Sequence, residues 1–318
     1  MNDRRFAWTG AILGDVVGSR FEWHNIKTKE FRFLDPACSF TDDSVMTLAV
    51  ADALVAAKCG FADLQTLVVD RMQKYGRRYP GAGYGGSFSN WIYAADPRPY
   101  NSLGNGSAMR VSVCAWVGES LEEVKELSRI VTSVTHNHPE GLKGAEATAV
   151  ATYLARIGKS KEEIRNVILR DYYAIDFTLD EIRDSYRFDV SCQGSVPQAL
   201  EAFFESVSFE DAIRNAVSIG GDSDTIAAIC GAVAGAYYEL PYDYLHHVLV
   251  LLGDSLREVV FKVDKFFETA NISELGESKG SQFGDILPAE PVSNSASDTR
   301  QVGKNMQRLK ELLGQTKN

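Results

Sequence analysis

The sequence has no Cys-x-x-Cys pair, no surplus of basic residues, no apolar run of bilayer length and little of the alternation that marks β-strands. Each lack closes off a class of protein. The five cysteines, Cys38, Cys59, Cys114, Cys192 and Cys230, are odd in number and unpaired in spacing, so reduced structural thiols are expected rather than a disulfide framework. Lys and Arg number 33 against 43 Asp and Glu, a net charge of -10, which argues against broad contact with a nucleic-acid backbone but not against a small nucleotide ligand. The opening Met1-Asn2-Asp3-Arg4-Arg5 runs into an apolar stretch broken by Gly10, Gly14 and Asp15, without the h-region of a signal peptide. A cytoplasmic protein with no membrane partner is the expectation. No motif fixes an oligomeric state.

What remains is helical periodicity. Ser120 with Glu123 three residues on predicts a capping box ahead of a helix over 121–135, where Leu121, Val124, Leu127 and Val131 share a face. Further helices are expected over 144–156, over 161–172 after a Ser160 cap, and over 196–206, 209–219, 242–253 and 255–267. The sum is a mostly α domain of about ten helices. From about Asn271 to Arg300, Ser, Gly, Asn, Pro and Glu crowd out large apolar residues, so a domain over 1–270 and a polar tail over 271–318 are expected. Lys304 to Leu313 carries Met306, Leu309, Leu312 and Leu313 at helical spacing, a short terminal helix within that tail.

The most informative residues are two acidic clusters far apart in the chain, Thr41-Asp42-Asp43 and Asp222-Ser223-Asp224-Thr225. Both strings read well as helix N-caps. Each, however, leads into a run that is apolar on most faces, Val45 to Ala57 and Ile226 to Tyr238, and such helices belong in the centre of a domain. Carboxylates at their tips are then desolvated, which is costly without a partner. No Lys or Arg lies within either cluster, and carboxylates with hydroxyls suit Mg²⁺, Mn²⁺ or Ca²⁺ better than zinc.

Several loops add to this. Gly10, Gly14 and Gly18 stand four apart, a spacing that lets helices approach closely, while Asp15 and Glu22 place carboxylates in the same segment. Gly81 to Ser87 is too glycine-dense for a helix interior; it reads as an anion-facing loop or as a plain surface turn. Ser102 to Arg110 is a second such loop, feeding a helix expected near Ala108, whose free N–H groups with Arg110 suit a phosphate. His136 and His138 have no matching Cys or His pair elsewhere, so substrate contact or support of a helix terminus is favoured over zinc.

In this order the motifs resemble those of the ADP-ribosylglycohydrolase family, which includes dinitrogenase-reductase-activating glycohydrolases and ADP-ribosyl-acceptor hydrolases. The resemblance covers Phe6 to about Pro241 and rests on Gly10-Ala-x-x-Gly14-Asp15-x-x-Gly18 with Glu22, on Phe40-Thr41-Asp42-Asp43-Ser44 and on Gly83-Tyr84-Gly85. It rests further on Gly104-Asn105-Gly106-Ser107-Ala108-Met109-Arg110, on Thr135-His136 and on Gly220-Gly221-Asp222-Ser223-Asp224-Thr225. It implies an all-α fold, a single compact orthogonal helical domain around a two-metal cleft, with two Mg²⁺, or Mn²⁺, as cofactors. It implies metal ligation by Thr41, Asp42, Asp43, Asp222, Asp224 and Thr225, and catalytic carboxylates at Glu22 and Asp42. Gly83, Tyr84, Gly85, Ser87, Gly104, Asn105, Gly106, Ser107, Met109 and His136 would line the ADP-ribose path.

The implied reaction is hydrolysis of the N- or O-glycosidic bond of an ADP-ribosylated protein or small-molecule acceptor. The adenine-stacking aromatic is not fixed by a motif; Tyr84, Phe88 and Trp91 are candidates. The segment Arg170 to Ser195 falls where the family varies and bears on acceptor specificity. Two other readings stay open at this point. A non-catalytic ADP-ribose-binding module would keep the fold, and a haloacid-dehalogenase-type phosphatase would use Asp222 as nucleophile after a buried strand.

Overall fold

A computed structural model describes residues 6–58 and 60–277, with side chains to 269. Fourteen α-helices follow one another among these residues: Gly10–Gly18 (α1), Asp42–Ala56 (α2), Leu64–Arg78 (α3), Gly86–Tyr93 (α4), Cys114–Val117 (α5), Leu121–Ser133 (α6), Pro139–Arg156 (α7), Lys161–Asp171 (α8), Leu179–Arg183 (α9), Cys192–Phe204 (α10), Phe209–Ser218 (α11), Ser223–Tyr237 (α12), Tyr242–Leu251 (α13) and Gly253–Glu277 (α14). Short 3₁₀ turns at Ala7–Thr9, Ser19–Phe21 and Asn105–Ser107 complete the described set. The one β feature among the described residues is an isolated antiparallel bridge between Gly104 and Ser191. The fold is all-α, as expected. A phosphatase loop has no strand to follow here, since Asp222 comes after α11.

The chain divides into a compact unit over Met1–Asp264 and a second over Lys265–Asn318. Of the second, the described part is the continuation of α14 to Glu277, and the terminal helix expected over 304–313 lies outside the described residues. No helix among the described residues is long and apolar enough to cross a membrane. Cys38, Cys114, Cys192 and Cys230 are buried free thiols.

Helices α1 and α12 form the centre of the first unit, and every residue of α1 is buried. Glycine sets their separation. A Cβ on Gly10 would stand 2.3 Å from Gly231 O, one on Gly14 2.0 Å from Ala227 O and one on Gly18 2.5 Å from Ser223 O. Contacts that climb one helix while descending the other show that the two run antiparallel. The four-residue glycine spacing is thus a backbone-to-backbone seam, and it carries Asp15 past the first turn of α12.

Local chemistry starts most helices where expected, with instructive exceptions. Ser160 and Glu163 close a full capping box on α8. On α6 the Ser120 side chain accepts from Glu123 N–H, but the Glu123 carboxylate reaches one residue further back, to Glu119 N–H, so the expected box is only half formed. Helix α7 begins at Pro139 rather than at Gly144, because His138 Nδ1 caps Glu140 N–H and proline suits the first helical position. The helix expected near Ala108 is replaced by the 3₁₀ turn and further turns, with α5 not starting until Cys114. There the Ser107 hydroxyl donates to Gly141 O at 2.8 Å and Arg110 to Thr135 Oγ1 at 2.7 Å, so long-range partners hold these residues.

The seam makes a direct prediction. Gly14→Ala should lower unfolding stability by about 3 kcal/mol, as overpacking against an unyielding backbone does. Gly81→Ala, where an added Cβ meets nothing within 4 Å, should change it by less than about 0.5 kcal/mol. Chemical denaturation of both variants checks this, and equal effects would contradict the seam.

Candidate functional site

Both acidic clusters meet at the starts of α2 and α12, beside the middle of α1. Asp15 is the hub. Its fully buried carboxylate accepts from Thr41 N–H at 2.9 Å, Thr41 Oγ1 at 2.7 Å and Ser44 N–H at 3.0 Å, and from the Ser44 hydroxyl. A side chain from α1 therefore satisfies two N–H groups at the start of α2, while Thr41 Oγ1 accepts from Asp43 N–H at 3.3 Å as the local cap. With the capping done by Thr41 and Asp15, the carboxylates of Asp42 and Asp43 serve no cap.

At the other helix, Asp222 occupies the N-cap position without making the cap bond. Its Oδ2 instead accepts from Asn105 Nδ2 at 2.7 Å. Thr225 Oγ1 donates across to Asp43 Oδ2 at 3.2 Å and ties the clusters together. Oxygens of Asp15, Asp43 and Asp224 all lie within 4.8 Å of one another, and so do those of Glu22, Asp222 and Asp224. Asp224 belongs to both sets, so two trios share one carboxylate.

The electrostatic consequence is severe. Burial, then Asp224 and Asp15, push the Asp43 carboxyl well above its usual range; burial, then Asp222 and Asp15, do the same to Asp224. Asp42 is pushed up to about 8 by burial and by Asp15 and Asp222, and Glu22 to about 7 by burial, Asp222 and Asp15. Asp43 Oδ1 and Asp224 Oδ1 are moreover buried with no hydrogen-bond partner. Acids whose main neighbours are other acids, with lone pairs left over in a buried place, match a site for hard divalent cations. Asp15 and Glu22 complete the trios alongside Asp43, Asp222 and Asp224, Asp42 stands in neither trio, and the Thr41 and Thr225 hydroxyls bond to carboxylates.

Two loops reach this centre. Gly83, with φ of 111°, brings backbone against Asp42, whose Oδ1 would lie 3.1 Å from a Cβ there. The neighbouring Tyr84 hydroxyl is buried and unpartnered, its acidity weakened by burial and by Asp42. Gly85 opens α4, and Ser87 lies exposed in that helix's first turn. In the second loop, Asn105 bonds Ser195 Oγ as well as Asp222, joining loop and carboxylates.

His136 Nε2 lies 3.5 Å from a Cβ built on Gly104 and 3.7 Å from one on Gly106, so the imidazole backs this loop. Arg110 donates to Thr135 Oγ1, whose own proton we assign to His136 Nδ1, 2.7 Å away; Nε2 then carries the ring hydrogen. Burial and the Arg110 charge keep this histidine neutral. Ser107 and Met109 are buried within the loop, and Arg110, only 1% exposed, braces Thr135 rather than presenting itself to a phosphate. Phe88 and Trp91 are buried and stacked on each other, with ring centroids 5.5 Å apart, which leaves half-buried Tyr84 as the accessible member of the three candidate aromatics.

The ADP-ribosylglycohydrolase family model matches residues 3–271. The chain belongs to the ADP-ribosylglycohydrolase family. Among curated relatives, ADP-ribosylhydrolase ARH3 of Homo sapiens is 26% identical, covering 72% of this chain and 83% of its own length. ADP-ribosylarginine hydrolase Tri1 of Pseudomonas putida is 27% identical over 73% of this chain and 69% of its own. A solved ADP-ribosylglycohydrolase-related protein complex superposes with a TM-score of 0.59 at 26% identity, covering 84% of this chain and 97% of that one. For an ADP-ribosylglycohydrolase, whose substrates carry vicinal ribose hydroxyls and a diphosphate, a buried oxygen-rich centre flanked by two glycine loops is chemically apt.

The raised carboxyls fix a pH dependence for the cation-free protein. Because the folded chain holds these protons to higher pH than the unfolded chain, stability present near pH 4 is lost as pH rises through about 7 to 8. Thermal melts in chelator should show Tm falling from pH 5 to pH 8, and Asp43→Asn should flatten that fall. A Tm that rises over this range would contradict the assigned electrostatics.

Proposed function

We propose that this chain is a divalent-cation-dependent hydrolase that cleaves the glycosidic bond between ADP-ribose and an ADP-ribosylated acceptor. The single observation that carries the reading is the pair of buried, unpartnered oxygens, Asp43 Oδ1 and Asp224 Oδ1, at the starts of two central helices. Family membership and relatives that bear hydrolase names support the chemistry. We assign the activity to residues 1–270, with 271–318 an appended tail.

In this reading Asp15, Asp43, Asp222 and Asp224, with Thr41, Thr225 and Asp42 at the margin, would hold two cations, Mg²⁺ or Mn²⁺. When bound, such a pair supplies Lewis acidity toward ribose hydroxyls and a water. The protein's own residues do the rest. Glu22, half-buried and beside Asp222 and Asp224, is the carboxyl placed to hold or release a proton, as a general acid–base group must. It moves that proton between water and the departing acceptor as one O–H bond of water is exchanged for a new C–O bond at the anomeric carbon.

Asp42 offers a second carboxylate beside Gly83 and Tyr84, placed to accept from a ribose hydroxyl. Gly83 to Ser87 and Gly104 to Gly106 line the ADP-ribose path, with Ser107 and Met109 buried behind them, and neutral His136 holds the second of these loops from behind. The Asp42 carboxylate, which stands outside both trios, would favour the positive charge that develops on the ribose ring.

The test is release of free ADP-ribose from ADP-ribosylated peptides with Mg²⁺, with Mn²⁺ and with chelator. Activity should need a cation, fall about 10²- to 10⁴-fold in Glu22→Gln, and fall at least as far in Asp42→Ala and Asp224→Ala. Folded wild-type protein that binds ADP-ribose in a cation-dependent way yet releases none from any acceptor would support the non-catalytic module instead. Release that persists in chelator would contradict the cation requirement.

A further inference from the structure

The residue after Glu22 is the most exposed tryptophan of the described chain. Trp23 is 75% exposed, yet it is not loose: its side chain lies near the Glu22 carboxylate, and its ring stacks on Phe188 with centroids 5.4 Å apart and planes 20° from parallel. Phe188, itself 43% exposed, comes from the Arg170 to Ser195 segment. Leaving two stacked aromatics in water forgoes apolar burial, and such a patch beside a reaction centre marks a contact surface.

Both halves of the stack are fastened to the site. On the Trp23 side, Asn25 exchanges hydrogen bonds with Gly221, donating to its carbonyl at 2.9 Å and accepting from its N–H at 2.8 Å, and Lys27 donates to Tyr186 O and Ile219 O. On the Phe188 side, Val190 O accepts from Asn105 N–H at 2.7 Å, and Ser195 Oγ, which receives Asn105 Nδ2, donates to Asp189 O at 3.0 Å. The stack therefore spans from Glu22 to the loop that holds Asp222, with one indole face on Phe188 and the other open.

We propose that Trp23 and Phe188 form the acceptor-side wall of the site and that the open indole face receives a planar cationic group, a guanidinium, linked to the anomeric carbon. This rests on the hydrolase reading above. A guanidinium stacks on an indole and is drawn to its negative face, whereas a hydroxyl-linked aliphatic acceptor gains neither.

The experiment compares kcat and KM for ADP-ribose release from an ADP-ribosyl-arginine peptide and an ADP-ribosyl-serine peptide in the wild type, W23A, W23F and F188A. W23A and F188A should raise KM on the arginine peptide, so that its kcat/KM relative to the serine peptide falls about tenfold. W23F should restore most of that ratio, and affinity for free ADP-ribose should be the same in all four. Equal losses on both peptides would reduce Trp23 to a support for Glu22 and overturn the proposal. A wild type that prefers the serine peptide, or an ADP-ribosylated oligonucleotide, would also overturn it. A wild type that releases ADP-ribose from none of these would instead bring down the hydrolase reading, and this inference with it.

Discussion

The close approach of α1 and α12 is the constraint on which the site depends. With side chains at positions 10, 14 and 18 the two backbones could not come together, since each added Cβ would lie within 2.5 Å of a carbonyl oxygen of α12. Held so close, α1 delivers Asp15 to the first turn of α12 and, through four hydrogen bonds, to the start of α2. The glycine seam is thus what turns two acidic strings far apart in sequence into one centre.

That centre is built at odds with its own stability. Helix N-termini favour one carboxylate, but Asp43, Asp222 and Asp224 crowd two such termini, with Asp15 and Glu22 added from the side. Their mutual repulsion and burial raise the carboxyls, and two oxygens are left unbonded. Local strain of this kind is retained where function uses it. A divalent cation would relieve each cost at once, by supplying positive charge and by filling the spare lone pairs.

Much of this was legible in the residues. The all-α architecture followed from periodicity, and the two clusters were visible because acids at the tips of all-apolar helices are unusual. The seam was legible as spacing. Asp15 shows no role in its local sequence, because a lone acid within a helix has no cap or ligand string around it; its meaning comes from Thr41 and Ser44 across the fold. The start of α7 differs from the one expected for a local reason: His138 and Pro139 set it five residues ahead of the Ala-rich run that begins at Gly144. The helix expected at Ala108 failed for a non-local one: Ser107 and Arg110 bond to Gly141 and Thr135, which no local pattern reveals. The stacking of Trp23 on Phe188 was beyond reach for the same reason.

The central claim, that the clustered carboxylates form a cation centre, is tested most directly by calorimetric titration of Mn²⁺ into the cation-free protein at pH 7 in two buffers of different ionisation enthalpy. Raised carboxyls that bind a cation must give up protons, so binding with proton release is predicted, abolished in Asp43→Asn and Asp224→Asn. Absence of binding by folded wild-type protein, or binding that survives both substitutions, would contradict it.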